Sequence, residues 1–477
     1  MDSLMAERQR GGGPRAMEFV RLYCGLLAFA LLRNRSRHLR YYSWLLNSKT
    51  SLSRKRGLGA APSAPFGFLP MPILSEADMA NCSATLIGTL GCVAFGPESW
   101  WPASLWSSLL LFLVVWSGLY AETAAGSHTS LLVPAVLFIH ACAASSGEPL
   151  PSWAVDITQV YVCSAYAGAG LTKLAVGVWF RTFWADGATL QFYLFDARFK
   201  CPPWPDSLVD VASKFLIRRP RLCSLASFGA LGLELSSPIM GTGTWPMRAG
   251  FACAALSLHV GIQVLQGVNF LDYWAPALLV FVFGGEGELG ADVVGWARAG
   301  FEASPWCFGA ALAFTMVQWC CVLCLFDISS GTRDLLPWSC MPLYCLPRSL
   351  HDSLPKFFCC SSADLRCAGF LDPFFHHPGS VFTFTEADMK KLPDRRLFFG
   401  SSDGPVPPEI HALANPAMLG LPFVHAANFE PSPELLDEAK GLIDALRSGE
   451  GIDALLARHE EVMREFRLDA VYDHKDD

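Results

Sequence analysis

Charge is scarce in this chain. Only 17% of its 477 residues are Asp, Glu, Lys or Arg, against 52% hydrophobic, where a soluble domain carries about 25% charged residues. That scarcity excludes a soluble chain of this length, and with a net charge of −7 nothing in the sequence points to nucleic acid. Three signatures of catalysis are also missing: a glycine-rich phosphate loop, a G-x-S-x-G elbow and a paired-carboxylate constellation. No metal site is expected either. The tail cysteines Cys340, Cys345, Cys359, Cys360 and Cys367 fit no zinc spacing, and their odd number implies no complete disulfide framework. Most of the 17 cysteines lie in apolar stretches, where Cys behaves as a small hydrophobe. Cys320, Cys321 and Cys324 contain a C-x-x-C spacing, but on an apolar helix they read as packing. His376 and His377 are adjacent without a further ligand set.

What is present is a series of apolar runs, judged against the ~20 residues that cross a bilayer. They cover 105–121, 128–144, 155–177, 222–240, 249–265, 268–284 and 305–326, with two further candidates at 17–32 and 82–95. The sequence therefore predicts an all-α polytopic membrane protein of about eight or nine transmembrane helices, followed by a small mixed extramembrane tail.

Three parts follow from this reading. Residues 1–79 form a basic N-terminal segment with one membrane or interfacial helix and a Gly, Pro and Ala-rich linker from Gly57 to Pro72. The run at 17–32 follows Arg8, Arg10 and Arg15 like a signal peptide, yet it carries Arg21 and has no clean cleavage site, so it reads as retained. Residues 80–330 form the transmembrane body. Residues 331–477 form the tail, in which "GSVFTFT" at 379–385 alternates like a strand and residues 432–467 read as a helical hairpin opened by Ser432–Pro433. If every run spans, the basic loops at 33–56 and 181–221 and the tail share one side, which the positive-inside rule makes cytoplasmic. The basic loops could equally hold anionic lipid.

One residue contradicts its surroundings. Lys173 sits inside the apolar run from Val155 to Gly177, and a charge at membrane depth is a functional-site hypothesis by default. Snorkelling to the headgroups is the other reading. The body holds few more polar groups at helix depth: His128, His140, Asp156, Gln159, Glu234, His259, Gln263 and Asp272. Glu234 needs a cation there, and Lys173 and His259 both qualify. Such a pairing is either a structural clasp between helices or a proton-handling site in which a lysine walled in by apolar groups acts as a neutral base.

The stretch "YAGAGLTKL" from Tyr166 to Leu174, followed by Trp179, resembles the "Y-x-x-AG-x-x-KL…W" segment of the vitamin K-dependent gamma-carboxylase and its wider relatives, the HTTM-domain membrane proteins. Other segments are similar in the same order: "RLYCGLLAFALL" with "HLRYYS", "SHTSLLVPAVLFIHA", "PSWAVDITQVY", "LGLELSSPI" and "LSLHVGIQVLQGVNF". Together they cover roughly residues 17–285. The resemblance implies that Lys173 is a catalytic base and that His128, at the place of the family's functional histidine, orients or stabilises an oxyanion. Glu234 and His259 would then set the protonation of a pocket for a lipid-soluble, vitamin K-like quinone. Thr172 stands where the carboxylase has the first lysine of its pair, and the tail has no counterpart of the carboxylase's strand-rich substrate domain, so carboxylation of a protein substrate is not implied. The expectation is an integral, multi-pass membrane protein of the endoplasmic reticulum or another endomembrane, with membrane lipid and such a quinone as partners. The alternative is a non-catalytic scaffold or lipid binder in which the same residues clasp helices. No inverted repeat or broken helix pair favours a transporter.

Overall fold

A computed structural model describes residues 2–47, 60–62, 70–119, 131–147, 150–179, 183–200, 206–266, 270–284 and 293–324, and a few positions between 441 and 460. The predicted strand at 379–385, the tail cysteines, the histidine pair and most of the proposed hairpin lie outside the described residues, as does His128.

The protein is an all-α membrane protein. Its helices are α1 (Asp2–Asn47), α2 (Glu76–Phe95), α3 (Trp101–Leu119), α4 (Leu132–Ser145), α5 (Trp153–Trp179), α6 (Ala188–Lys200), α7 (Leu208–Ile217), α8 (Pro220–Thr242), α9 (Trp245–Gln266), α10 (Leu271–Leu278), α11 (Val280–Phe283), α12 (Val293–Ala303) and α13 (Pro305–Leu323). One antiparallel ladder of two three-residue strands, Ala60–Pro62 with Pro70–Pro72, lies in the segment read as a linker. Among the described residues, four helical segments are long and apolar enough to cross a membrane: Glu98–Trp116, Pro220–Thr242, Trp245–Gln266 and Pro305–Leu323. Each of the nine apolar runs in the sequence contains helix.

A helix that is hydrophobic on all sides is enclosed by protein or by lipid, and α4 is enclosed by protein. It is 14 residues long, too short to span the hydrocarbon even when upright, and its residues from Leu132 to Ala144 are buried with the exception of Phe138. Helix α5 is almost as enclosed. It packs against α8, α13 and α4, so the lysine it carries is held inside protein. The peripheral helices are apolar outwards, as lipid-facing helices should be: Leu225 and Ile239 of α8, Val264 of α9 and Trp306 of α13 are all exposed.

The run at 17–32 belongs to the long helix α1, whose Phe19, Val20, Tyr23, Cys24 and Leu27 are buried in the main core. Arg21 is held by the carbonyls of Ala94 and Gly96 at the end of α2 and by Glu98. Farther along α1, Arg33 and Asn34 engage the carboxylate of Asp272 in α10. Arg21 and Arg33 thus each have a carboxylate partner, Glu98 and Asp272.

Candidate functional site

Helical spacing assembles the site one face at a time. On α5, Tyr166, Ala169 and Lys173 stand at i, i+3 and i+7, and on α8 Ser227, Ala230 and Glu234 repeat that spacing. On α9, His259, Ile262 and Gln266 do the same. All nine residues line one cavity of about 230 Å³. On the measure by which one water needs roughly 10–15 Å³, this is room for a ring-bearing small molecule. Trp184, Phe270 and Trp274 complete an otherwise largely apolar wall, together with Leu190, Tyr193 and Leu194 of α6 and Leu216 of α7.

Helices α5 and α8 can approach here because residue 170 is glycine. A Cβ at Gly170 would stand 3.1 Å from the Cβ of Glu234 and 3.0 Å from the side chain of Leu235. That approach lets the lysine and the glutamate meet. Lys173 Nζ donates to Glu234 Oε1 at 2.5 Å, with the two side chains 5% and 9% exposed. Nζ also lies over the ring of Trp184, 4.9 Å from its centroid, where the ring quadrupole favours a cation. Of the two cations that the sequence offered to Glu234, the fold gives it Lys173.

His259 is engaged differently. Its Nε2 shares a 2.6 Å hydrogen bond with the Tyr166 hydroxyl, and its ring packs against Trp274 and Phe270 at centroid separations of 5.1 and 5.3 Å. Tyr166 in turn meets Trp274 edge-on at 5.2 Å. Two polar pairs therefore border one cavity: an ammonium with a carboxylate, and a phenol with an imidazole.

Each pair leaves a polar atom over. Glu234 Oε2, His259 Nδ1 and Ser227 Oγ are buried and have no hydrogen-bond partner among the described residues. A buried polar atom left without a partner costs about 1–3 kcal/mol, so three residues of the cavity lining carry unmet hydrogen-bonding capacity just behind its surface. The donor set suits an aromatic, lipid-soluble molecule with one or two oxygens: apolar rings for its body, a carboxylate oxygen for a hydroxyl proton, an ammonium for an oxyanion.

Lys173, Glu234 and His259, singled out from sequence, thus converge. His128, the fourth, lies outside the described residues. Of the other polar groups at helix depth, His140 pairs with Thr158 and Asp156 accepts from Trp296, while Gln159 binds the carbonyl of Val280; none of these lines the cavity. Sequence reasoning gave no role to Tyr166 or Ser227. Both were findable, since each stands seven residues before a charged residue on its own helix and so shares its face. Among the described residues no group of three or more His, Cys, Asp or Glu could hold a metal ion. No family model, curated protein or solved structure matches the chain.

Proposed function

We propose that this protein is a multi-pass membrane enzyme of about eight or nine spans, related to the HTTM proteins and to the membrane domain of the vitamin K-dependent gamma-carboxylase. It resides in the endoplasmic reticulum or another endomembrane and deprotonates a lipid-soluble quinol or similar aromatic alcohol, the step that precedes oxidation of such a molecule. The observation that carries this reading is the convergence of Lys173, Glu234, His259 and Tyr166, from three helices, on one largely apolar cavity.

The base is the Lys173–Glu234 pair acting as a unit. Between them the two groups hold one proton fewer than they can carry. A ligand hydroxyl that reaches the Glu234 carboxylate gives up its proton there, its O–H bond breaking as a carboxyl O–H forms. The ammonium of Lys173, fixed between Glu234 and Trp184, then stays charged beside the new oxyanion and stabilises it. The Tyr166–His259 pair, which lines the same cavity, orients the ligand within it. The role of His128, orienting or stabilising the oxyanion, rests on the sequence resemblance.

A second reading has its own observation. The Lys173–Glu234 contact joins α5 to α8 beside their close approach at Gly170, which is what a structural clasp in a scaffold or lipid-binding protein would do. The two readings separate in lipid nanodiscs, with a panel of vitamin K and benzoquinone hydroquinones and wild-type protein compared with Lys173→Ala and Glu234→Gln at matched folding. Turnover or tight quinol binding in the wild type, lost in both variants, is the expected result. No turnover or binding with any quinol, alongside marked destabilisation of both variants, assigns the pair to structure.

A further inference from the structure

Helix α7 is built inside out for a helix on an aqueous surface. On one face Asp210, Ser213 and Ile217 are buried against protein. On the other, Leu208, Val211 and Phe215, at i, i+3 and i+7, are 85%, 54% and 48% exposed. A surface helix in water turns its apolar stripe inward and its charges out. Here the charges are the inward side: Asp210 binds Arg198 of α6 at 2.7 Å and Lys214 at 2.8 Å, and Lys214 reaches Glu460 at 2.6 Å. The helix has 10 residues, about 15 Å at 1.5 Å per residue, half of what crossing hydrocarbon requires.

Connectivity fixes where this exposed stripe lies. Only Arg218 and Arg219 separate α7 from Pro220, the first residue of the membrane-length α8. The C-terminus of α7 is therefore at a membrane boundary, and the first turns of α8 carry Leu222, Leu225 and Phe228, also exposed. Arg219 lies over the Phe215 ring at 5.1 Å, and Arg219 and Arg221 are exposed. An apolar stripe edged by guanidinium groups at that level has the make-up of an interfacial helix.

We infer that α7 lies in the plane of the membrane, its Leu208–Val211–Phe215 face sunk into the leaflet at which α8 begins, with Arg219 and Arg221 on anionic lipid headgroups. Leu216 lines the cavity, so the same helix borders both the leaflet and the candidate site. The inference rests on the membrane-length helices and not on what the cavity binds.

The test places a photo-cross-linking benzoylphenylalanine at Val211 or at Phe215 of the full chain, in nanodiscs of phosphatidylcholine with phosphatidylserine. Phospholipid adducts at both positions are expected. In the Phe215 variant, adding Arg219→Gln and Arg221→Gln should lower the phosphatidylserine share of the adducts by roughly five-fold per basic residue removed. Adducts to a second copy of the chain, or folded protein with no lipid adduct at either position, would overturn the in-plane placement. An unchanged phosphatidylserine share would overturn the headgroup contact.

Discussion

Removing the charge of Glu234 while keeping its shape is the most informative single perturbation. In Glu234→Gln the amide can still accept from Lys173, so what disappears is the countercharge. The two groups stand 2.5 Å apart, and at an effective dielectric constant near 20 their attraction is roughly 6–7 kcal/mol. Most of that is offset in the wild type by withdrawing two ions from water, at several kcal/mol each. The net worth of the pair is therefore small, but the consequence of breaking it is not. Lys173 is 4% exposed, and its ammonium would keep the desolvation cost with, among the described residues, a neutral amide and the Trp184 ring in place of a countercharge. Breaking a buried pair from one side costs about 3–5 kcal/mol, whereas replacing both members is often neutral. We expect Glu234→Gln to destabilise by about 3–5 kcal/mol and Lys173→Met with Glu234→Gln to recover most of the loss. The assay is a double-mutant cycle on denaturant unfolding of the purified protein in a fixed detergent. A single variant within about 0.5 kcal/mol of wild type, or losses that simply add in the double variant, would refute the reasoning. The double variant then serves function: restored stability without quinol turnover separates the base from the clasp.

Three further outcomes follow from particular contacts. Tyr166→Phe leaves His259 with neither ring nitrogen partnered among the described residues, and should cost about 1–3 kcal/mol in the same assay; an unchanged midpoint would show that the phenol–imidazole bond contributes nothing. Gly187, which precedes α6, has φ +95°, and a Cβ there would lie 2.6 Å from both the Pro220 carbonyl and the Ser224 amide of α8. Gly187→Ala should therefore lower the thermal midpoint by the equivalent of at least about 1–2 kcal/mol, and a neutral result would mean that the turn can shift away from α8. At α7, burial would raise the Asp210 carboxyl above its ordinary 3.8, but hydrogen bonds from Lys214 and Arg198 outweigh it and hold the carboxyl lower. Burial would lower Lys214, and its bonds to Asp210 and Glu460 instead raise it above 10.5. A depressed carboxyl contributes stability that is present above 3.8 and is lost as pH falls through its lower folded value. A raised amine contributes stability that is present below 10.5 and is lost as pH rises through its higher folded value. Thermal midpoints should thus keep this contribution from pH 3.8 to 10.5, and Asp210→Asn should weaken the acid-side loss. An acid limb identical to that of the wild type would refute the pairing.

The membrane class of this protein was legible in its composition, because so few charges over so many apolar runs leave no soluble solution. Lys173, Glu234 and His259 were legible for the same reason: an ionisable group at membrane depth is costly enough to mark itself without any neighbour being known. Helical periodicity could have added Tyr166 and Ser227, since a spacing of seven residues fixes which side chains share a face. Periodicity is silent, however, about what that face meets. Sequence left Glu234 with two possible cations, and the close approach of α5 and α8 at Gly170 chose Lys173 and left the His259 imidazole to Tyr166. Sequence also read the short α4 as one more apolar run, while packing made it the enclosed centre and put α8, α9 and α13 outside. In an apolar chain nearly every helix face is hydrophobic, so the identity of each neighbour is decided by shape, small residues and the pairing of a few buried charges. Those are properties of the assembled helices. The sequence determined that charges at depth must find partners; only the tertiary structure decided which partners, and that a cavity lies between them.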